Sequence, residues 1–338
     1  MPCPSVQRHH GLVYYTHVHD QVGFEGPMNS LQPGSFKFAH LSDPHLTSLQ
    51  HISWTTLLNK RIMGYISWKT HRRAEHRREV LDLLVNSLLN QDLDHIVITG
   101  DLTHLGLPEE FAEARQWLDS LKNIAETTVI PGNHEAYVST SYESTLKEWE
   151  PYFRSDNGTS MRDGSPAPLN FPSLRLRGPI AFIGLSTASP TLPFLATGTL
   201  DLEQLRQIET CLSLETLQPY FKVLLIHHPP LTHSVAWRKR LTNALQLEAV
   251  LNRHPVDLIL HGHTHKSSLA YLNTPDRAIP VVGVPSASAN GSRPGYESQY
   301  CLFSLNHTGK SFELSASLYS YFQGKEQFAF SRTLPLNR

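Results

Sequence analysis

Five short clusters of acidic, amide and imidazole side chains are the part of this sequence that could do chemistry. They are Asp43-Pro44-His45, Gly100-Asp101, Gly132-Asn133-His134-Glu135, His227-His228 and Gly262-His263-Thr264-His265. Asp43, His45, Asp101, Asn133, His227, His263 and His265 offer oxygen or neutral-nitrogen donors, and none is a thiolate. Such a set suits Mn, Fe, Zn or Co rather than a structural cysteine-zinc site. That many donors around one ion would leave no open position for a substrate, so the number predicts two divalent transition-metal ions. A pair about 3.5–4 Å apart that shares a bridging carboxylate can clamp the attacking and leaving oxygens of a phosphoryl displacement. Gly100, Gly132 and Gly262 each stand just before a candidate ligand, where a tight turn or close backbone approach would exclude a β-carbon.

The elements that must position these clusters are short apolar runs just ahead of them. Residues 36–41, 95–99, 127–130, 180–185, 223–226 and 257–260 read as strands. Between them, 74–89 sets Val80, Leu83, Leu84 and Leu88 on one helical face, and 108–121 opens with Pro108, Glu109 and Glu110 as a helix N-terminus should. Residues 200–214 and 241–252 are two further helices. The alternation predicts an α/β domain with chemistry at the C-terminal ends of its strands. After His265 the text is strand-rich, at 267–272, 279–284, 299–305, 311–318 and 327–331. No linker separates His265 from Ser267, so residues 35–338 are expected to form a single domain, with 266–338 as the C-terminal part of its second sheet. Residues 1–34 read as a poorly ordered tail without the basic start, apolar run and cleavage site of a secretory signal.

The ordered series Asp-x-His, Gly-Asp, Gly-Asn-His-Glu, His and Gly-His-x-His resembles the five-block signature of the calcineurin-like metallophosphoesterases, over residues 36 to 265. The resemblance implies a four-layer αββα sandwich, two mixed β-sheets packed face to face with helices outside, and a metal pair at the sheet edges. Carried across residue by residue, it assigns Asp43, His45, Asp101 and His265 to one ion. Asp101, Asn133, His227 and His263 go to the other, with Asp101 bridging. It makes a metal-bridging hydroxide the nucleophile and sets His134 against the leaving group or a phosphate oxygen, so Asp101 and His134 are the expected catalytic residues. In the related His-x-Pro motif the ligand lies two residues before the proline, which selects His227 ahead of Pro229 and leaves His228 to support or pack. Glu135 stands where Asp is more usual and is expected to orient backbone or His134 from behind. His40, His95, His104, His233, His254 and His261 are expected to be structural, with His233 the nearest of them to a phosphate role.

Residues 48–78 form an insertion between the first two blocks. From Lys60 to Arg78 it carries Lys60, Arg61, Lys69, Arg72, Arg73, Arg77 and Arg78 against the single acid Glu75, with Tyr65 and Trp68 among them. It reads either as a solvated basic helix face or as a cap that draws an anionic substrate or an anionic membrane.

The superfamily's protein phosphatases extend the second block to Gly-Asp-x-Val-Asp-Arg-Gly and place Arg-Gly before Asn-His. Here the stretches are Gly100-Asp101-Leu102-Thr103-His104-Leu105-Gly106 and Pro131-Gly132-Asn133, so those arginine clamps are missing. The blocks ending in Pro230 and His265 instead resemble the bacterial branch that contains cyclic-nucleotide phosphodiesterases. The expected activity is metal-dependent hydrolysis of a small phosphodiester such as a cyclic nucleotide, with Arg293, Tyr296 and Tyr300 around the base or ribose. An alternative is cleavage of a lipid-linked nucleotide pyrophosphate, of the UDP-diacylglucosamine type in the lipid A pathway, with residues 60–78 on the membrane. A third reading is a non-catalytic scaffold, which would be expected to lose ligands, whereas all are present.

Composition narrows the field further. With 29 Lys+Arg against 30 Asp+Glu, the chain lacks the basic excess of a nucleic-acid binder, so no nucleic-acid partner is expected. At 40% hydrophobic and 17% charged residues it can bury a full core. No apolar run is long enough to span a bilayer. Cys3, Cys211 and Cys301 are too scattered for a disulfide framework and fit a reducing compartment. The expected location is cytoplasmic, peripheral to the inner membrane in the lipid reading.

Overall fold

The computed structural model describes residues 33–46, 49, 57–156, 171–309 and 311–336. The expected N-terminal tail lies outside them except for Pro33 and Gly34, and Gly34 already pairs in the first strand. Also outside are residues 48 and 50–56 of the insertion.

The strands in chain order are β1 (Gly34–Leu41), β2 (His95–Ile98), β3 (Glu126–Val129), β4 (Ser173–Arg177), β5 (Ile180–Gly184) and β6 (Phe221–Leu225). Then follow β7 (Leu258–His261), β8 (Ser268–Asn273), β9 (Ala278–Gly283), β10 (Gln299–His307), β11 (Phe312–Phe322) and β12 (Gln327–Leu334). One sheet has the order β12-β11-β10-β1-β2-β3 and the other β4-β5-β6-β7-β9-β8. In each, the ligand-bearing strands run parallel, β1 with β2 and β3, and β6 with β7. Antiparallel strands complete the flanks.

Alternation along the second sheet divides its side chains between two cores. Phe182, Val223, Leu225, Leu258 and Leu260 face the first sheet, where Phe38 meets Phe182 edge-on at 5.4 Å. Ala181, Ile183, Leu224, Ile226 and Ile259 face outward onto α6 (Leu202–Ser213) and α7 (Ala244–Arg253), which follow α1 (Arg61–Ser67), α2 (Arg73–Glu75), α3 (Arg78–Leu88), α4 (Pro108–Leu121) and α5 (Glu150–Phe153). Leu81 and Leu84 of α3 and Phe111 and Leu118 of α4 join the core of the first sheet. Each such buried side chain contributes roughly 1.5–3 kcal/mol against the chain entropy. The result is the expected four layers.

Three features differ from the sequence reading. The strands after His265 do not all extend the second sheet, because β8 and β9 do so while β10, β11 and β12 extend the first beside β1. Two-residue alternation marks which face of a strand is buried, not which strand pairs with it. Without β10, moreover, β1 would carry unpaired backbone groups inside the fold. Strand β4 went unforeseen because Arg175 and Arg177 resemble surface residues, yet both reach the Glu126 carboxylate. The helix expected over 74–89 begins only at Arg78, since His76 and Arg77 are extended, with ψ of 117° and 128°.

The insertion is anchored by its own small apolar cluster. Trp68 packs with Leu57, Leu105 and Leu107, in the turn that follows Asp101. Arg61 is buried there and donates to the carbonyls of Leu105 (3.0 Å) and Gly106 (2.8 Å). The seven basic residues therefore do not form one solvated face.

Candidate metal centre

The loops after β1, β2, β3, β6 and β7 meet where the two sheets abut, and backbone bonds lock them together. Asp43 N donates to Gly100 O at 2.9 Å, His45 N to Asp101 O at 3.1 Å, and Gly262 N to His227 O at 3.1 Å. Asp43, His45, Asp101, His263 and His265 all hold positive φ, between 42° and 66°. The left-handed region costs an L-residue roughly 1–2 kcal/mol, least for short polar side chains. Gly100 has φ 95°, and a β-carbon there would lie 2.5 Å from the Gly132 nitrogen. One on Gly132 would strike the Asp101 carboxylate.

Glu135 fastens the second and third loops to each other. Its Oε2 accepts from Gly132 N (2.6 Å) and Asp101 N (2.9 Å), and its Oε1 from Thr103 N (2.9 Å) and Thr103 Oγ1 (3.1 Å). It supports backbone, as expected from the sequence. Burial, with the Asp101 carboxylate beside it, pushes its pKa up to about 7, against the pull of the backbone donors.

All seven donors are brought together. Ligand atoms of Asp101, His227 and His263 lie within 4.8 Å of one another, as do those of His45, Asp101 and His134, and of His45, His76 and His265. Asp101 thus links the His45 side to the His227 side. Asn133 joins the latter, its Oδ1 lying 3.2 Å from His227 Nε2. Asp43 joins the former, with Oδ1 3.1 Å from His265 Nε2 while Oδ2 accepts from His263 N at 3.0 Å.

The electrostatics of this cluster suit cations. Burial lowers His45 and His263 well below the usual histidine range, leaving neutral rings with free lone pairs. His263 Nε2 is buried with no hydrogen-bond partner among the described residues, which is costly unless a cation satisfies it. His45 Nδ1 donates to Thr103 O (2.9 Å) and His227 Nδ1 to Thr99 O (2.6 Å), so each presents Nε2 inward, as metal-ligating histidines do. His227 is raised to about 9 because Asp101, 3.3 Å away, outweighs its burial. Burial opposes charge on Asp101 too, yet the His227 imidazolium beside it holds it well below the usual carboxylate range. In the metal-free cluster a proton balances this carboxylate, and metal binding must displace it. The donor set fits two divalent ions.

His134 Nδ1 donates to His104 O at 2.5 Å, so the neutral ring offers Nε2 as an acceptor, which Arg72 Nη1 meets at 2.8 Å. Burial, with Arg72 adding to it, lowers the His134 pKa to about 4 against the pull of Asp101. A cavity of about 220 Å³ opens over the cluster, and Arg72, Lys239, Arg293 and Tyr296 stand on its wall. Arg293 lies 3.8 Å from the Tyr296 ring centre.

Other sequence expectations fall differently. His228 is engaged at both nitrogens, by Thr187 Oγ1 (2.7 Å) and Ala196 O (3.2 Å), and is a packing residue. Tyr300 does not reach the cavity, because it is fully buried with its hydroxyl 2.8 Å from Ser87 Oγ. His233 lines a separate cavity beside Trp237, away from the cluster. Sequence reasoning missed the placement of Arg72 and His76, for which the basic insertion was the single signal, and of Lys239, which lies outside that insertion and had none.

Comparison with known proteins gives consistent matches. The family model described as calcineurin-like phosphoesterase matches residues 36–267. A 3',5'-cyclic-nucleotide phosphodiesterase of Nostoc sp. is 27% identical over 229 residues, covering 67% of this chain and 73% of that one. A glycerophosphodiester phosphodiesterase of Enterobacter lignolyticus is 26% identical over 234 residues, 68% of this chain and 71% of that one. Among solved structures, a dimetal phosphatase from Danio rerio superposes with a TM-score of 0.53 at 14% identity, covering 88% of this chain and 99% of that chain. A purple acid phosphatase from yellow lupin gives 0.56 at 13% identity, covering 89% and 54%. These two likenesses show the fold.

The Glu135 contacts generate a stability prediction. Glu135→Ala leaves four buried donors without their acceptor, and the loss is expected to be about 2–4 kcal/mol in urea unfolding. A change under about 0.5 kcal/mol, the size of an ordinary surface substitution, would show that the carboxylate does not hold the loops together.

Proposed function

The chain belongs to the calcineurin-like phosphoesterase family and is a metal-dependent phosphoric ester hydrolase, and on that premise we propose that it cleaves a small phosphodiester, such as a cyclic nucleotide, at a two-metal centre. The observation that carries this reading is the convergence of the donors into two groups that share Asp101. On this reading Asp43, His45, Asp101 and His265 hold one ion, and Asp101, Asn133, His227 and His263 the other. Two such ions would acidify bound water and offset the charge that develops on phosphorus.

The chain's own residues do the rest. Arg72, Lys239 and Arg293 gather around the cavity and favour a phosphate anion, with the Arg72 guanidinium shaped for two of its oxygens. His134 is oriented through Nδ1 and keeps Nε2 beside Arg72. When a phosphate takes up Arg72, the Nε2 lone pair would be free to pick up the proton released as the attacking water ionises and to pass it to the leaving oxygen. Tyr296, stacked with Arg293, gives a flat surface for a base. The names of the Nostoc and Enterobacter relatives, both phosphodiesterases, support the diester class.

A second reading, cleavage of a lipid-linked nucleotide pyrophosphate of the UDP-diacylglucosamine type at a membrane surface, is favoured by one observation. Ile62 and Ile66, one turn apart on α1, are 41% and 50% exposed, with Met63 and Leu58 exposed beside them. Leu192 and Phe194 are exposed on a loop that Lys60 Nζ ties to the cap through Thr191 Oγ1 at 2.8 Å. Apolar side chains flanked by exposed Lys69 and Arg73 suit an anionic lipid interface. Among the described residues, no helix is long and apolar enough to cross a membrane.

Manganese-loaded protein is expected to hydrolyse bis-p-nitrophenyl phosphate faster than p-nitrophenyl phosphate. Asp101→Ala should abolish that turnover, and His134→Ala should keep both ions while slowing it by about 10²–10⁴. Preference for the monoester would instead make the protein a phosphomonoesterase. The paired change Ile62→Glu with Ile66→Glu separates the two substrate classes. Under the lipid reading it abolishes sedimentation with phosphatidylglycerol vesicles and turnover of the lipid pyrophosphate but spares the soluble diester; unchanged vesicle binding and lipid turnover would sink that reading.

A further inference from the structure

His76 lies outside every motif block, yet its ring sits 4.5 Å from that of His45 and 5.6 Å from that of His265, centre to centre. Ligand nitrogens of the three residues fall within 4.8 Å of one another. The backbone goes out of its way to put it there. His76 and Arg77 interrupt what would otherwise be one helix running from Arg73 to Leu88, and His76 forms an isolated antiparallel bridge with Ala289. Arg77 N donates to Ser288 O at 2.8 Å and Asn290 N to Glu75 O at 2.9 Å, so the break is held from both sides.

The hydrogen bonds around the ring fit one tautomer. Ser286 Oγ donates its proton to Asp43 O at 2.6 Å, leaving a lone pair toward His76 Nδ1 at 3.1 Å. Ser288 Oγ stands 3.0 Å from the same nitrogen. We assign the hydrogen to Nδ1, which then donates to Ser286, with the Ser288 hydroxyl turned to Ser286 Oγ at 3.3 Å. The lone pair is left on Nε2, which is buried and has no hydrogen-bond partner among the described residues. A ring fixed through one nitrogen by an oxygen acceptor, with the other nitrogen bare beside two further imidazoles, is the arrangement of a metal ligand.

We infer that His76, supplied by the insertion rather than by the motif blocks, is an additional ligand of the ion held by His45 and His265. This rests on the two-metal reading above. It gives the insertion a role in metal binding, because the segment that carries Arg72 into the cavity is then tied to the first ion four residues later.

Cobalt binding to the full chain tests the inference, followed by equilibrium dialysis and by visible absorption. His76→Asn keeps an N–H where Nδ1 stands, and so the contact with Ser286, but has no atom in place of Nε2. It is expected to weaken one of two cobalt sites by at least about tenfold and to change the absorption intensity of that site, leaving the other unaltered. His76→Ala should reproduce both effects, with thermal melting as the check that each variant folds. Two dissociation constants within twofold of wild type, with an unchanged spectrum in the folded Asn variant, would overturn the assignment. If wild type holds only one cobalt, the metal pair falls, and His76 stands or falls on whether His76→Asn weakens that single ion.

Discussion

Buried negative charge is the constraint on which the rest of this structure depends. Asp43 is 0% and Asp101 2% exposed, and an ionised carboxylate taken out of water is costly unless opposite charge and hydrogen bonds surround it. The chain answers with backbone N–H groups, from His263 to Asp43 and from His134 to Asp101, and with the proton on His227. Neutral imidazoles complete the surroundings and leave lone pairs that a cation would satisfy. Left-handed turns at the donors, the close approach of Gly100 to Gly132 and the four donors on Glu135 all serve to hold these groups inside bonding distance.

No single sheet carries a complete donor set. Asp43, His45, Asp101 and Asn133 follow strands of the first sheet, while His227, His263 and His265 follow strands of the second. Packing the two sheets face to face is what joins them, so the apolar contact of Phe38 with Phe182 is also a requirement of the site. Parallel pairing of β1, β2 and β3, and of β6 and β7, sends the loops out at the same end. The insertion then closes over that end on its own small cluster around Trp68, bringing Arg72 against His134.

Much of this was legible in the sequence, for a physical reason. Ligands placed at strand ends must be preceded by apolar runs and flanked by glycines, so the same local pattern announces both element and site. What stayed hidden depends on contacts far apart in the chain. Alternation showed that residues 299–331 form strands but not that they pair beside β1. Arg175 and Arg177 concealed β4 because their acidic partners lie elsewhere in sequence. Tyr300 sat in a polar stretch, although its hydroxyl ends on Ser87. His76 was invisible because backbone bonds to a loop more than two hundred residues away break the helix that would have carried it.

The central claim is that two ions, bridged through Asp101, are needed for hydrolysis of a phosphodiester. Stepwise addition of manganese to metal-free protein, with bound metal and bis-p-nitrophenyl phosphate hydrolysis followed together, tests it most directly. Turnover should follow the second bound equivalent and reach its plateau at two ions per chain. A plateau at one equivalent, or full turnover in the presence of chelator, would contradict it.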